Sequence, residues 1–180
     1  YLVKPLDLAE LVDILYRVTG QTGEEAYRVL VVDDSPSAAA FNAALLNEAG
    51  LVTVVVNDPY AVMAPIRELR PDVILMDIQM PECSGFELAQ VIRQHESFVS
   101  LPIVYLSSEE DKGRQLEAMS VGGDDFLTKP IVPDHLVGAV SNRVLRWRVL
   151  RSFMVRDSLT GLYNHTKTKE LLDVEIARAA

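Results

Sequence analysis

The sequence predicts an α/β fold built on a five-stranded parallel sheet with helices on both faces. Short apolar segments alternate five times with longer amphipathic ones between residues 28 and 155, and this alternation is typical of parallel sheets. The pattern is clearest at Val73–Met76, because four consecutive apolar residues between Pro71 and Pro81 predict a strand buried on both faces. This strand is followed by Asp77, at the end of the strand where such sheets carry their chemistry.

Each remaining element is predicted from the same two patterns. The strands are apolar segments closed by polar or turn-forming residues, and they are predicted at residues 28–32, 51–56, 73–76, 102–106 and 125–128. The helices have apolar residues at helical spacing, and they are predicted at residues 37–49, 58–69, 85–95, 111–121 and from about 134 to 155. Pro65 is expected to kink or shorten the second helix.

Residues 1–20 are interpreted as the last helix of a preceding copy of the same domain, and residues 21–27 as a linker. Apolar residues in the first segment follow helical spacing. The segment Tyr1–Leu6 also aligns with Phe126–Ile131, and both contain a Lys-Pro pair. The alternative is an amphipathic helix that matches by chance.

The composition argues against several classes of protein. The net charge of −9 disfavours binding to nucleic acid or to an anionic membrane, since both favour a basic surface. No apolar run approaches the roughly 20 residues of a membrane helix. Cys83 is the only cysteine, so no internal disulfide is expected, and the natural location is the reducing cytoplasm. We assign Cys83 no role.

The predicted strand ends place side chains of complementary chemistry at one edge of the sheet, and these are Asp33, Asp34, Asp77, Ser107 and Lys129. Three carboxylates this close repel one another, and a hard divalent cation, most simply Mg²⁺, relieves the repulsion. The cation and Lys129 would neutralise the oxygens of an incoming phosphoryl group, to which Ser107 would donate a hydrogen bond. Asp77 would be the nucleophile and form an acyl phosphate.

This set of residues resembles the signature of the response-regulator receiver domain of two-component signalling. The segment Gly122–Pro130 also resembles the last strand and junction of that family. The resemblance covers about residues 27–145, of which residues 28–141 are taken as the receiver domain. It implies a flavodoxin-like (βα)5 three-layer sandwich, here with extended helices at both ends. It further implies that Asp77 receives its phosphoryl group from a histidine kinase or a phosphotransfer protein.

The resemblance also implies a metal site and a switch. Asp34, Asp77 and the backbone carbonyl of Gln79 would hold Mg²⁺, and Asp33 would assist through water. On phosphorylation Ser107 would move toward the phosphate while the ring of Phe126 turned inward. This would change the face made by the predicted fourth helix, fifth strand and fifth helix.

Two residues near this site have simpler interpretations or differ from the family pattern. Phe126 has the alternative of being an ordinary core residue. Gly85 is expected to permit a tight turn before the third helix, although the loop before it, residues 82–84, differs from the commoner family sequence.

The last predicted helix is expected to run past the receiver domain, with residues 142–156 as a connecting helix. Its apolar residues recur at three- and four-residue steps suited to a partner helix, and they are Leu136, Val140, Val144, Trp147, Leu150 and Met154. We therefore expect a homodimer through residues 134–155 and the switch face. Arginines along the same helix are expected to form a solvated face, and they are Arg143, Arg146, Arg148, Arg151 and Arg156.

Residues 157–180 resemble the beginning of the GGDEF family of diguanylate cyclases, which make cyclic di-GMP from GTP. The resemblance rests on Asp157–His165, although the family usually has arginine where His165 stands. The signature loop with the catalytic acids is absent, so no catalytic residue is assigned. This chain by itself is not expected to be a cyclase, whereas a longer parent protein would be one.

The sequence thus predicts a phosphorylation-dependent switch that controls dimerisation and a diguanylate cyclase. One alternative is a structural adaptor that helps a dimer to pack and never turns over phosphate. Another is a metal-dependent phosphatase on a similar sheet. That enzyme would need a general acid or base two positions after Asp77, where the sequence has Gln79.

Overall fold

The computed structural model describes residues 26–81, 83–108 and 125–155, together with 162–164, 168 and 172. Its strands are β1 (Arg28–Val32), β2 (Val52–Val56), β3 (Val73–Asp77), β4 (Ile103–Ser107) and β5 (Asp125–Thr128). Its α-helices are α1 (Pro36–Glu48), α2 (Met63–Leu69), α3 (Gly85–Arg93) and α4 (Pro133–Val155). The helices predicted within residues 1–20 and at 111–121, and most of 157–180, lie outside the described residues.

The five strands form one parallel sheet in the order β2-β1-β3-β4-β5. This is the flavodoxin-like order, so the predicted fold is confirmed. Every residue of β3 and β4 is buried, as expected for central strands covered on both faces.

Helices pack on both faces of the sheet, because successive strand residues point to opposite sides. Ile74 and Met76 of β3 belong to a core cluster with residues of α2 and α3. Val73 and Leu75 belong to a second cluster with residues of α1 and α4. Among the described residues, no helix combines the length and the apolarity needed to cross a bilayer.

Side-chain caps begin the helices that follow β1 and β3. Ser35 accepts a hydrogen bond from the backbone N–H of Ala38, and Pro36 is the first residue of α1. Ser84 and Glu87 form a reciprocal capping box at the start of α3. These caps fix where each loop turns away from the carboxyl edge of the sheet.

The second predicted helix is shorter than the sequence indicates. Residues Pro59–Ala61 form a 3₁₀ turn capped by Asp58, and the α-helix begins only at Met63. Pro65 thereby lies in the first turn of α2, where its missing N–H has no intrahelical partner to lose. Pro65 was expected either to kink or to shorten this helix, and the structure shows the shortened helix.

Part of the predicted dimer stripe belongs to the core of the domain. Leu136, Val140 and Val144 are fully buried in the cluster that α4 shares with α1 and the sheet. The prediction that these three residues bind a partner helix is wrong, because helical spacing does not show which apolar surface covers them. Leu150, further along the stripe, is 58% exposed.

Candidate functional site

Asp77 is the last residue of β3 and lies at the carboxyl edge of the sheet. It is 4% exposed, and its Oδ1 atom is 2.9 Å from the Nζ atom of Lys129. The backbone N–H of Gln79 also points to Oδ1, at 3.4 Å. The buried carboxylate therefore has a cation and a backbone N–H on the same oxygen atom.

Asp33 and Asp34 follow β1 and meet Asp77 across the edge. Carboxylate oxygens of the three residues lie within 4.8 Å of one another. The Oδ1 atom of Asp33 accepts a hydrogen bond from the backbone N–H of Ser35 at 2.9 Å. Its Oδ2 atom is buried and has no hydrogen-bond partner among the described residues, which is costly for an ionised group.

The environment of Asp33 opposes its ionisation. Burial is the main cause that raises the pKa of this carboxyl above its ordinary value, although the hydrogen bond from Ser35 acts in the opposite direction. The charge of Asp77 raises the pKa further, and that of Lys129 lowers it. A cation placed among the three carboxylates would offset this cost.

The acidic cluster fits a hard divalent cation. Mg²⁺ is bound through one or two carboxylates and keeps several waters. The unpartnered Oδ2 atom of Asp33 is the kind of donor that such an ion, or a water bound to it, would satisfy. The residues present therefore match the chemistry of a magnesium site.

Strand pairing brings Ser107 and Lys129 to the same edge. Ser107 ends β4, is fully buried, and pairs in register with Thr128 of β5. The backbone N–H of Lys129 donates to the carbonyl of Ser107 at 2.7 Å. This bond helps to position Lys129 next to Asp77. The structure therefore brings the four charged side chains together and places Ser107 at the same edge of the sheet, at the end of β4.

Phe126 lies on β5 in a stack of aromatic rings. Its ring is 5.3 Å from that of Tyr105 at an angle of 23°, and Phe86 contacts Tyr105 edge-on at 5.1 Å. Phe126 is only partly buried. An inward turn of this ring would therefore have to change its stacking on Tyr105.

Two polar contacts at the site were not predicted. The Nδ2 atom of Asn57 donates to the backbone carbonyl of Asp33 at 2.7 Å. Asn57 directly follows β2, so the rule that strand ends meet at one edge could have identified it. The Nε2 atom of Gln79 is 3.1 Å from the Oγ atom of Ser108, a contact between two loops that carries no sequence signal.

Gly85 is required because the backbone packs closely at this position, and not because of the tight turn that was expected from the sequence. Its backbone N–H donates to the carbonyl of Ile78 at 3.0 Å, and a Cβ at this position would overlap the carbonyl oxygen of Asp77. Its φ lies outside the positive range, unlike that of Gly50 at +84°. Helix α3 therefore starts against the backbone of Asp77.

Fold and site together define the class of flavodoxin-like domains with an acidic cluster at the carboxyl edge of the sheet. The response regulator receiver domain family matches residues 29–141. Receiver domain 1452 of Francisella shares 31% identity with a TM-score of 0.61, over 67% of this chain and 98% of that one. Chemotaxis protein CheY4 of Vibrio cholerae shares 30% identity with a TM-score of 0.62, over 66% and 98%. The chain belongs to the response regulator receiver domain family.

Curated relatives extend beyond this chain. The DNA-binding response regulator MtrA of Mycolicibacterium smegmatis is 35% identical over 119 residues, which are 66% of this chain and 51% of MtrA. An uncharacterized 76.5 kDa protein of Thiocystis violacea is 38% identical over 149 residues, which are 82% of this chain and 22% of that protein. The chain thus spans about half or less of the length of these relatives. Receiver domains generally bind Mg²⁺ at the acidic site.

Replacing Asp33 with asparagine is expected to stabilise the fold by about 1 kcal/mol near neutral pH when Mg²⁺ is removed by a chelator. Asparagine retains an acceptor for the Ser35 N–H and removes a charge that burial disfavours. Because the pKa of Asp33 is higher in the folded protein, its ionisation costs folding free energy as pH rises above 3.8. Urea unfolding as a function of pH measures the difference.

The gain in stability of Asp33→Asn over the native protein should vanish below pH 3.8, where Asp33 is protonated in both the folded and the unfolded chain. Saturating Mg²⁺ should stabilise the native protein more than the variant. Glu68→Gln, at an exposed position on α2, removes one negative charge away from the site and is the control. An Asp33→Asn variant that was less stable than the native protein without Mg²⁺ would contradict the prediction.

Proposed function

We propose that this chain is a signalling switch in which Asp77 accepts a phosphoryl group. The observation that carries the proposal is the Asp77 carboxylate, 2.9 Å from Lys129 and beside two further carboxylates. Histidine kinases or phosphotransfer proteins phosphorylate receiver domains, so the donor would be a phosphohistidine. Its P–N bond breaks, a P–O bond to Asp77 forms, and the departing imidazole takes up a proton.

The other residues of the edge have supporting roles in this proposal. Asp33, Asp34, Asp77 and the backbone carbonyl of Gln79 would hold Mg²⁺, which supplies positive charge to the phosphoryl oxygens. Lys129 supplies a second positive charge next to Asp77, as its present contact with that carboxylate supports. These two charges would favour the transferring group over the free carboxylate.

The switch in this proposal consists of Ser107 and Phe126. Ser107 is fully buried at the end of β4, which is paired with β3, and a small shift of the β4 end would aim its hydroxyl at the new phosphoryl oxygens. Space vacated by that shift would admit the ring of Phe126, which now stacks on Tyr105. The altered face would comprise β5, α4 and the segment between β4 and β5.

We further propose the setting of this switch in a longer protein. Residues 28–141 would be the second of two receivers, with residues 1–20 ending the first and 21–27 linking them. Helix residues 142–156 would connect it to a cytoplasmic diguanylate cyclase beginning at 157–180, as the resemblance of Asp157–His165 supports. A homodimer through the switch face and the exposed end of α4, near Leu150, would align two cyclase domains.

A DNA-binding output is the second candidate, favoured by the name of the relative MtrA. The net charge of −9 over this chain does not favour contact of the receiver itself with DNA. The sequence at 157–165 resembles the cyclase family, so we place the cyclase first. Production of cyclic di-GMP from GTP by the longer protein would distinguish the two outputs.

The proposal is tested by adding Mg²⁺ with acetyl phosphate or beryllofluoride and measuring the mass of the particle by light scattering. We expect phosphorylation to shift the chain from monomer toward dimer. Asp77→Ala should abolish the shift. An unchanged mass in the native chain would favour the adaptor alternative, and a shift that survived Asp77→Ala would also contradict the proposal.

A further inference from the structure

Three parts of the chain meet around Arg148, at the edge of the sheet opposite the acidic cluster. Arg148 belongs to α4 and lies beyond residue 141, where the family match ends. Its Nη2 atom donates to Asp72 Oδ2 at 2.7 Å and to the backbone carbonyl of Ala26 at 3.0 Å. Its guanidinium carbon lies 4.4 Å from the ring centroid of Tyr27. The Arg148 side chain thus connects the outgoing helix α4, to which it belongs, with the incoming segment Ala26–Tyr27 and with Asp72 at the start of β3.

Asp72 makes this contact energetically important. It immediately precedes β3 and is 1% exposed, and the backbone N–H of Arg28 also donates to its Oδ2 atom, at 3.0 Å. A buried carboxylate is costly unless a cation and hydrogen bonds accompany it. Arg148 supplies that cation, with a side chain only 17% exposed.

A second ion pair of α4 provides a contrast. Arg143 contacts Asp125 at 2.9 Å, but the Asp125 side chain is 44% exposed, and pairs of that kind hold their partners weakly. The expectation that Arg143 and Arg148 both belong to a solvated helix face is wrong, and of the two pairs only the one at Arg148 is buried.

Asp72 and Asp77 lie at opposite ends of β3. Asp77 comes five positions after Asp72 along the extended chain, which separates them by about 16 Å. Arg148 therefore does not belong to the acidic site, and its role does not depend on phosphorylation.

We propose that Arg148 is a positioning residue that fixes the incoming segment Ala26–Tyr27 and the outgoing end of α4 into one rigid junction. While Arg148 is bound to Asp72, the helix beyond residue 144 cannot pivot away from the sheet. A domain that follows α4 would then turn with the receiver as one body, and a domain that precedes Ala26 would be held to the same frame.

Hydrogen exchange of the 180-residue chain tests the proposal. In Arg148→Met we expect amides of residues 145–155 and of 26–28 to exchange at least about 10-fold faster. Amides of residues 133–144 should change less, because Leu136 and Val144 remain buried in the core. Arg146→Met removes the same charge from an exposed position of α4 and should leave both segments unchanged.

A second variant separates local release from general destabilisation. Asp72→Asn combined with Arg148→Met removes the buried charge that the single change would leave without a cation. In Arg148→Met the unpaired charge of Asp72 should also weaken the protection of β3. In the double variant we expect β3 to exchange as slowly as in the native chain, while residues 145–155 and 26–28 stay in fast exchange. Equal acceleration throughout the domain, or acceleration of 145–155 without 26–28, would overturn the proposal.

Discussion

Replacing Gly85 with alanine is expected to lower the free energy of unfolding by about 3 kcal/mol, because the added methyl group overlaps the backbone of Asp77. The overlap involves the carbonyl oxygen of Asp77, and the carbonyl carbon of Asp77 and the Cα atom of Ile78 are also close. Either α3 or the end of β3 must shift, and the second shift displaces Asp77, the proposed phosphoacceptor. We therefore also expect phosphorylation by acetyl phosphate to slow by about 10-fold.

Gly138→Ala is the matched control for this prediction. Gly138 lies within α4, and a Cβ there meets nothing within 4 Å in the part of the chain that the structure describes. Alanine should stabilise that helix by about 0.5–1 kcal/mol and leave phosphorylation unchanged. Chemical denaturation of the two variants gives the comparison. Equal stability of Gly85→Ala and the native chain would show that the contact between α3 and Asp77 is not close.

Replacing Lys129 with glutamine is expected to slow phosphorylation of Asp77 by about 100-fold. The variant loses the positive charge 2.9 Å from the carboxylate and keeps a side chain of similar length. The rate should be measured with acetyl phosphate at saturating Mg²⁺, so that cation binding does not limit it. The affinity for Mg²⁺ should stay equal or rise, since the ammonium group no longer competes for Asp77.

Arg67→Gln removes one positive charge from an exposed position on α2 and controls for net charge. The phosphorylation rate of Arg67→Gln should match that of the native chain. A Lys129→Gln rate within about 3-fold of the native rate would exclude Lys129 from the transfer step. A loss of Mg²⁺ affinity in the variant would mean instead that Lys129 supports the metal site.

The sheet and the acidic edge could be predicted because each rests on a strong local pattern. Uninterrupted apolar segments such as Val73–Met76 indicate buried parallel strands. The chain order of such strands places their carboxyl ends at one edge, so Asp33, Asp77 and Lys129 could be grouped without coordinates. The structure adds that Lys129, which follows β5, reaches Asp77 at the end of β3, with β4 between the two strands.

The errors arose where two distant parts of the chain meet. The spacing of Leu136 and Val144 indicated an apolar helix face, yet only the fold shows that α1 and the sheet cover it. Arg148 looked like one of several surface arginines, because its partner Asp72 is 76 residues away. Gly85 was correctly singled out, but its close approach to Asp77 depends on how α3 packs.

The central claim is that Asp77 accepts a phosphoryl group, and intact-mass spectrometry after incubation with acetyl phosphate and Mg²⁺ tests it most directly. We predict a single added phosphoryl group that hydroxylamine removes, as expected for an acyl phosphate. Borohydride reduction followed by peptide mapping should locate it at Asp77, and Asp77→Ala should remain unmodified. A native chain without the adduct, or an adduct located on another residue, would contradict the account.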